Sequence, residues 1–213
     1  MIYANIKNID LRFETKASVF SPNFIDPGTL AMLSVIDFFP GDKVLDLGCG
    51  YGAVGILAGK LIGGENVTMC DISEKAIECA EKNAALNGIR NINIILSDGY
   101  ENVEKRDFTI ILSNPPYHAD FSVPKKFIEI GFNKLAVGGK LVMVTKRLDW
   151  YKNKLTSVFG GVKVQEVNGY YVFVSEKRSH MKSYCKKEVN KKISKKLLRK
   201  NKRLRANETI THR

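Results

Sequence analysis

Hydrophobic and polar positions alternate in regular blocks along most of the chain. Ile9, Leu11 and Phe13 fall on one face of an extended segment, so a short strand is expected there. Asp26-Pro27-Gly28 reads as a turn, with Thr29 placed to cap a helix that carries Leu30, Leu33, Ile36 and Asp37-Phe38 and ends at Pro40-Gly41-Asp42. A buried strand is expected at 43–47, followed by a glycine loop and a helix through Ile62, and a second strand at 67–70 ends in Asp71. Ser73 caps a helix bearing Ala76, Ile77, Ala80, Ala84 and Leu86, which stops at Asn87-Gly88. Strands are predicted at 92–96, 108–112 and 141–145, and helices at 124–136, ending at Gly138-Gly139, and at 150–159. Two last strands, 162–167 and 170–174, flank Asn168-Gly169, a strong hairpin signal.

Strands alternating with helices imply a mostly parallel sheet with helices on both faces, to which the terminal hairpin adds an antiparallel edge. No internal repeat is visible. The predicted organisation is an N-terminal extension (1–20), an α/β domain (21–175) and a C-terminal tail (176–213).

Charge changes the picture only at the end of the chain. Residues 1–175 hold 19 Lys and Arg against 19 Asp and Glu, whereas 176–213 hold 15 against three, which accounts for the whole net charge of +12. The segment 182–205 places Val189, Ile193 and Leu197 four apart among lysines, which suits a cationic amphipathic helix as well as a solvated tail. Such a tail is expected to assist binding to RNA by contacting phosphates; its apolar stripe is too narrow to favour a membrane. The four cysteines (Cys49, Cys70, Cys79, Cys185) form no CxxC pair and have no ligand spacing with His, so reduced thiols and no metal site are expected. The first residues, MIYANIKNID, do not look like a signal peptide, and no apolar run approaches the ~20 residues of a membrane span. The expected compartment is the cytoplasm. Oligomeric state is not legible.

The chemistry concentrates at strand ends. Asp46-Leu47-Gly48-Cys49-Gly50-Tyr51-Gly52 follows a strand and opens a helix, where glycines let the backbone turn sharply and approach a ligand. Gly48, Gly50 and Ala53 also satisfy a dinucleotide fingerprint, so a nicotinamide dehydrogenase has to be weighed. Asp46 favours a methyl donor instead: a carboxylate there suits the ammonium of a methionine moiety and repels a pyrophosphate. Asp71, followed by Ile72, ends the next strand, where an acid holds ribose hydroxyls in either case. Asp98-Gly99 follows the third strand; Asp98 suits an adenine amino group and equally suits a plain turn. Cys49 reads as a small spacer in the loop, not a nucleophile.

Asn114-Pro115-Pro116-Tyr117 begins where the strand ending in Leu112-Ser113 stops, in the crevice that faces the glycine loop. An exocyclic or amide nitrogen is a poor nucleophile because its lone pair is delocalised. The Asn114 side-chain oxygen and the Pro115 carbonyl can each accept one N–H and aim that lone pair. The two prolines stiffen the loop, and Tyr117 offers a ring for a planar substrate. His118 either contacts substrate or faces solvent. No Pro-Cys pair is present for covalent attack on a base.

The DxGxGxG spacing and the sheet layout resemble class I, Rossmann-like methyltransferases with a seven-stranded sheet. Val19-Phe20-Ser21, Asp26-Pro27-Gly28-Thr29, the glycine loop, Cys70-Asp71-Ile72-Ser73, Ala85-Leu86-Asn87-Gly88, Ser113-Asn114-Pro115-Pro116-Tyr117-His118 and Gly138-Gly139-Lys140-Leu141 occur in order. Together they resemble the catalytic domain of the small-subunit ribosomal RNA guanine-N2 methyltransferase C family. That resemblance implies S-adenosyl-L-methionine held by Asp46, Gly48, Cys49, Gly50, Gly52, Asp71, Ile72, Asp98, Gly99 and Asn114. It implies catalysis by Asn114, Pro115, Pro116 and Tyr117, and substrate contacts from Tyr117, His118 and Phe20, with Asp26 bordering the same pocket. The substrate would be small-subunit rRNA or its particle. Long members of the family carry a further N-terminal domain for which this sequence shows no counterpart. Two other readings remain: a protein glutamine N-methyltransferase of the release-factor type, which shares Asn-Pro-Pro-Tyr, and a catalytically silent RNA-binding module.

Overall fold

A computed structural model describes residues 1–17, 19–115 and 120–179, and all structural statements concern these. Pro116, Tyr117, His118 and the whole of the predicted tail helix, with Cys185, therefore lie outside the described residues.

Seven strands form one sheet: β3 (Val44–Leu47), β4 (Val67–Asp71), β5 (Asn93–Leu96), β6 (Phe108–Ser113), β7 (Leu135–Thr145), β8 (Lys163–Val167) and β9 (Tyr170–Glu176), in the order β5-β4-β3-β6-β7-β9-β8. The first five are mutually parallel, and β9 inserts antiparallel between β7 and β8. This is the mostly parallel sheet with an antiparallel terminal hairpin that the sequence predicts. Asn168 and Gly169, both at positive φ, make the hairpin turn.

The central strands are buried on both sides, as β3 with four buried residues of four illustrates. Alternate residues therefore serve two cores. Val44, Ile110 and Val142 face α1 (Pro27–Val35), α2 (Ala53–Ile62) and α3 (Glu74–Leu86). Leu45, Ile111 and Met143 face α4 (Ser122–Lys134) and α5 (Asp149–Phe159). No helix among the described residues is long and apolar enough to cross a membrane.

The chain builds β3, β4 and β5 outward in one direction, then crosses back to lay β6 on the other side of β3. The carboxyl ends of β3 and β6 thus bound the crevice where strand order reverses. Ser113 Oγ donates to the Leu47 carbonyl at 2.9 Å and ties these two ends together.

Several elements differ from expectation. The N-terminal segment contains two strands, β1 (Ile2–Ile6) and β2 (Ile9–Phe13), joined by Lys7 and Asn8 at positive φ. A tight turn without glycine left no sequence signal for β1. Helix α1 is capped by Asp26, whose carboxylate accepts from the Thr29 amide at 3.0 Å, so Thr29 is not the cap. Proline at the first helical position explains this, because its missing N–H and fixed φ suit the first turn and leave Asp26, just before it, as the cap. The helix ends at Val35, short of Asp37-Phe38.

Helix α4 ends at Lys134, and β7 starts at once and passes through Gly138-Gly139. These glycines make a bulge, with the register against β6 jumping between Phe108 and Ile110. A Cβ on Gly139 would lie 2.7 Å from the Phe108 carbonyl oxygen, so the residue type that reads as a helix stop is required for close strand approach. Lys177 closes the bulge: its amide donates to Gly139, its carbonyl accepts from Gly138, and its buried ammonium donates to the Leu135 carbonyl at 2.7 Å. Of the predicted tail, Glu176 thus ends β9 and Lys177 is hydrogen-bonded to β7.

Candidate active site

A cavity of about 360 Å³ opens at the carboxyl ends of β3, β4, β5 and β6. Of the residues singled out from the sequence, Phe20, Asp26, Asp46, Gly48, Cys49, Gly50, Asp71, Ile72, Asp98, Gly99, Asn114 and Pro115 all line it. Gly52 does not; at φ 95° it caps α2 and turns the loop into the helix.

The glycine loop is pinned from β4. Gly48 and Cys49 amides both donate to the Cys70 carbonyl at 2.9 Å, and the Gly50 amide donates to Asp71 Oδ2 at 2.9 Å. Asp71 Oδ1 accepts from Ser73 N at 2.9 Å, so each of its oxygens is oriented by one backbone N–H and retains a second lone pair toward the cavity. Gly48 and Gly50 adopt φ of 77° and 56°, a region L side chains rarely enter.

Asp46 sits beneath this loop, 3% exposed, and accepts from the Gly55 amide at 2.9 Å. Burial, with a smaller contribution from the Asp71 charge, pushes its carboxyl up to about 7, while the Gly55 bond works in the opposite direction. Gly55 permits the contact: a Cβ there would lie 2.2 Å from Met69 Sδ and 3.3 Å from Asp46 Oδ2.

On the opposite wall stands Asn114. Its Nδ2 donates to Asp26 Oδ1 at 2.7 Å and to Thr29 Oγ1 at 3.1 Å. A carboxylate can only accept, so the amide orientation is forced, with Nδ2 on the Asp26 side. Register carries the placement: Asp46 pairs with Leu112, which sets Asn114 level with Gly48 across the crevice.

Sequence reasoning missed part of the lining. Thr29, Met32, Tyr51, Ser97, Val123 and Phe127 also face the cavity. Val123 and Phe127, four apart on α4, look in sequence like any apolar helix stripe. Phe127 reaches the site because Gly99 leaves it room: a Cβ on Gly99 would lie 3.1 Å from its ring. Burial, aided by the Asp26 charge, pushes the Tyr51 hydroxyl up to about 12, and it donates to the Phe24 carbonyl at 3.4 Å. The cavity therefore offers carboxylates in a row along β3, β4 and β5, apolar side walls, and one oriented amide across from them. Burial also holds the Cys49 and Cys70 thiols up, Cys70 to about 12, which leaves them unreactive.

The chain is similar to several known proteins. An uncharacterised protein of Bacillus subtilis (strain 168), YbxB, is 33% identical over 181 residues, covering 81% of this chain and 89% of that protein. The ribosomal RNA small subunit methyltransferase C of Serratia proteamaculans (strain 568) is 34% identical over 164 residues, covering 75% of this chain but 47% of the relative. Among solved structures, the T. thermophilus 16S rRNA N2 methyltransferase (RsmC) in complex with AdoMet and guanosine superposes with a TM-score of 0.76. It shares 26% identity, covering 83% of this chain and 50% of that one. The chain thus spans about half the length of these two ribosomal RNA methyltransferases. The methyltransferase small domain matches residues 10–174, and the chain belongs to that family.

Proposed function

We propose that the protein transfers a methyl group from S-adenosyl-L-methionine to the exocyclic N2 of a guanine in small-subunit ribosomal RNA. The observation that carries this reading is the place of Asn114, which lines the cavity at the end of β6 with its amide nitrogen held by Asp26 and Thr29. An N–H-bearing nucleophile needs acceptors, and a donor at that place would repel it.

The cavity residues fit the donor. Asp46, buried beside the glycine loop, suits the ammonium group; the outward lone pairs of Asp71 suit a vicinal diol; Asp98 suits an exocyclic amine, with Phe127 and Val123 as apolar walls for a flat ring. S-adenosyl-L-methionine, when bound, supplies an electrophilic methyl on a sulfonium. The chain's own part is orientation. In this reading Asn114 Oδ1 and the Pro115 carbonyl would accept the two N–H groups of the amine, and the role of the stacking ring falls to Tyr117, which lies outside the described residues. Holding a nucleophile in line supplies roughly 7–11 kcal/mol of barrier lowering in well-oriented reactions. No strong base is needed, because the nitrogen becomes acidic as it is methylated. The relatives named for small-subunit ribosomal RNA support an RNA substrate.

The test is incubation of the protein with labelled donor and either undermethylated small subunits or release factor. Label in guanine N2 is expected. Label in the protein, or RNA binding without any transfer, overturns the proposal. Asn114→Ala is expected to abolish transfer while donor binding persists; surviving turnover would remove the role given to its amide.

A further inference from the structure

The carboxyl edge of the sheet changes sign across its width. Asp46, Asp71 and Asp98 face the cavity on the β3–β5 side, where a cationic donor suits them. On the β7 side the chain leaves the strand through Lys146 and Arg147, both exposed. Ser113 pairs with Met143, and one step further along that register sets Asn114 level with Val144. Lys146 and Arg147 therefore emerge just past the catalytic amide, on the strand next to it, and neighbouring strands lie ~4.8 Å apart.

Both cations rest on aromatic rings. The Arg147 guanidinium carbon is 4.9 Å from the centre of the Phe121 ring, and Phe121 stacks on the Trp150 indole at 4.5 Å with 25° between planes. Lys146 Nζ lies 4.8 Å from the centre of Tyr170, which is on the adjoining strand β9. Neither cation is paired with a carboxylate among the described residues; the three ion pairs there are Lys7–Asp37, Lys16–Glu78 and Lys154–Glu129. Phe121 and Trp150 are half-buried, so the ladder is anchored in the fold and its outer rung is the guanidinium.

We propose that Lys146 and Arg147, carried on Phe121, Trp150 and Tyr170, form a docking platform for the nucleotide flanking the methylated base in a single-stranded RNA segment. This rests on the RNA reading above and adds the surface that performs it. A guanidinium held flat against a ring offers its other face to a base and its edge to phosphate. Single-stranded RNA supplies both groups together, whereas a duplex hides its base faces and an acidic peptide has none. The platform's positive charge complements the RNA backbone, and the carboxylates beside it keep that backbone out of the donor site.

Trp150 is the sole tryptophan of the chain and reports on the platform directly. The full-length protein is titrated with a single-stranded oligoribonucleotide of about 12 nucleotides, a length such grooves accommodate. Binding is followed both by anisotropy of the labelled RNA and by Trp150 emission. RNA is expected to change Trp150 emission in step with binding. Lys146→Ala with Arg147→Ala should weaken binding about tenfold at low salt, and flatten the salt dependence by roughly 1.4 log units per log unit, the slope of two single-strand phosphate contacts. Arg147→Lys should lower affinity while keeping that slope, because charge stays and the planar face goes. Lys105→Ala with Arg106→Ala, which removes the same charge at the opposite edge of the sheet before β6, should change neither readout. RNA that binds without moving Trp150 emission, an equal loss from the Lys105/Arg106 variant, or poly-glutamate acting as well as RNA would each overturn the platform. None of these readouts needs methyl transfer, so failure of the proposed reaction is distinguishable from failure of the platform.

Discussion

The Asn114 amide donates to the Asp26 carboxylate at 2.7 Å, linking two residues 88 positions apart. The same Asp26 oxygen accepts from the Thr29 amide and caps α1. One carboxylate thus starts a helix and holds the Asn114 amide nitrogen.

Asp26→Ala should release that amide without removing it. The expected result is a fall in kcat of about 100-fold, the scale of a small misplacement at a reacting centre, with donor affinity little changed. Loss of the cap should cost ~1 kcal/mol of stability. Thr29→Val removes only one of the two acceptors and should give a smaller drop in kcat. Single-turnover transfer assays beside donor titrations separate these effects; a large loss of donor affinity with unchanged kcat would contradict the assignment.

If Asp46 holds the donor as proposed, donor binding and stability should depend on pH in opposite senses. Its folded pKa of about 7 lies well above the ordinary carboxyl value of 3.8, so the folded chain keeps a proton that the unfolded chain releases between these values. Its contribution to stability is therefore fully present below the unfolded pKa and is lost as pH rises through 7. Asp46→Asn should stabilise the free protein by roughly 2–4 kcal/mol at pH 8, with the gain shrinking toward pH 5. Donor affinity in the unmutated protein should rise as pH increases from 6 to 8, because the cation binds the carboxylate form. In Asp46→Asn it should be weak and flat. Calorimetric titrations and urea melts at three pH values check both halves.

Asn83, fully buried on α3, holds the N-terminal hairpin and the glycine loop at once. Its Oδ1 accepts from Glu14 N at 2.7 Å, and its Nδ2 donates to the Glu14 carbonyl at 2.8 Å and the Tyr51 carbonyl at 3.0 Å. One turn on, Asn87 does the same for Arg12, accepting at 3.1 Å and donating at 2.7 Å. Two asparagines on one helix face thus mimic a neighbouring strand for β2. Asn83→Leu leaves three backbone groups without partners and should cost about 2–4 kcal/mol in urea unfolding, since each unsatisfied buried group costs ~1–3 kcal/mol. Asn83→Asp should cost at least as much, because its second carboxylate oxygen would face the Glu14 and Tyr51 carbonyls in a fully buried place.

Gly55→Ala should destabilise the protein by ~1–3 kcal/mol and weaken donor binding, because the new methyl meets Met69 Sδ at 2.2 Å next to Asp46. Pairing it with Met69→Ala should restore part of both losses. Additive losses in the double variant would show that the clash lies elsewhere.

The alternation of strands and helices, the glycine loop, the acids ending β4 and following β5, and the placement of Asn114 at the end of β6 were all legible in sequence. Each rests on a local signal: a burial period of two or 3.6, or a turn that only certain residues can make. Local signals misled at Gly138-Gly139, where the same residue type serves a helix stop and a bulge, and at Asp26, where a turn motif is also a cap.

Relationships between distant segments were not legible. Nothing near Asn114 says that Asp26 will orient it, nothing on α4 distinguishes Phe127 from core, and Arg147, Phe121 and Trp150 form a ladder only once α4 and α5 pack on one face of the sheet. The amino-acid sequence by itself determined which residue types stand at the strand ends, because backbone geometry and hydrophobic period act over a few residues. The tertiary structure decided which of them meet, because the reversal of strand order between β3 and β6 brings together side chains whose separation along the chain carries no periodic mark.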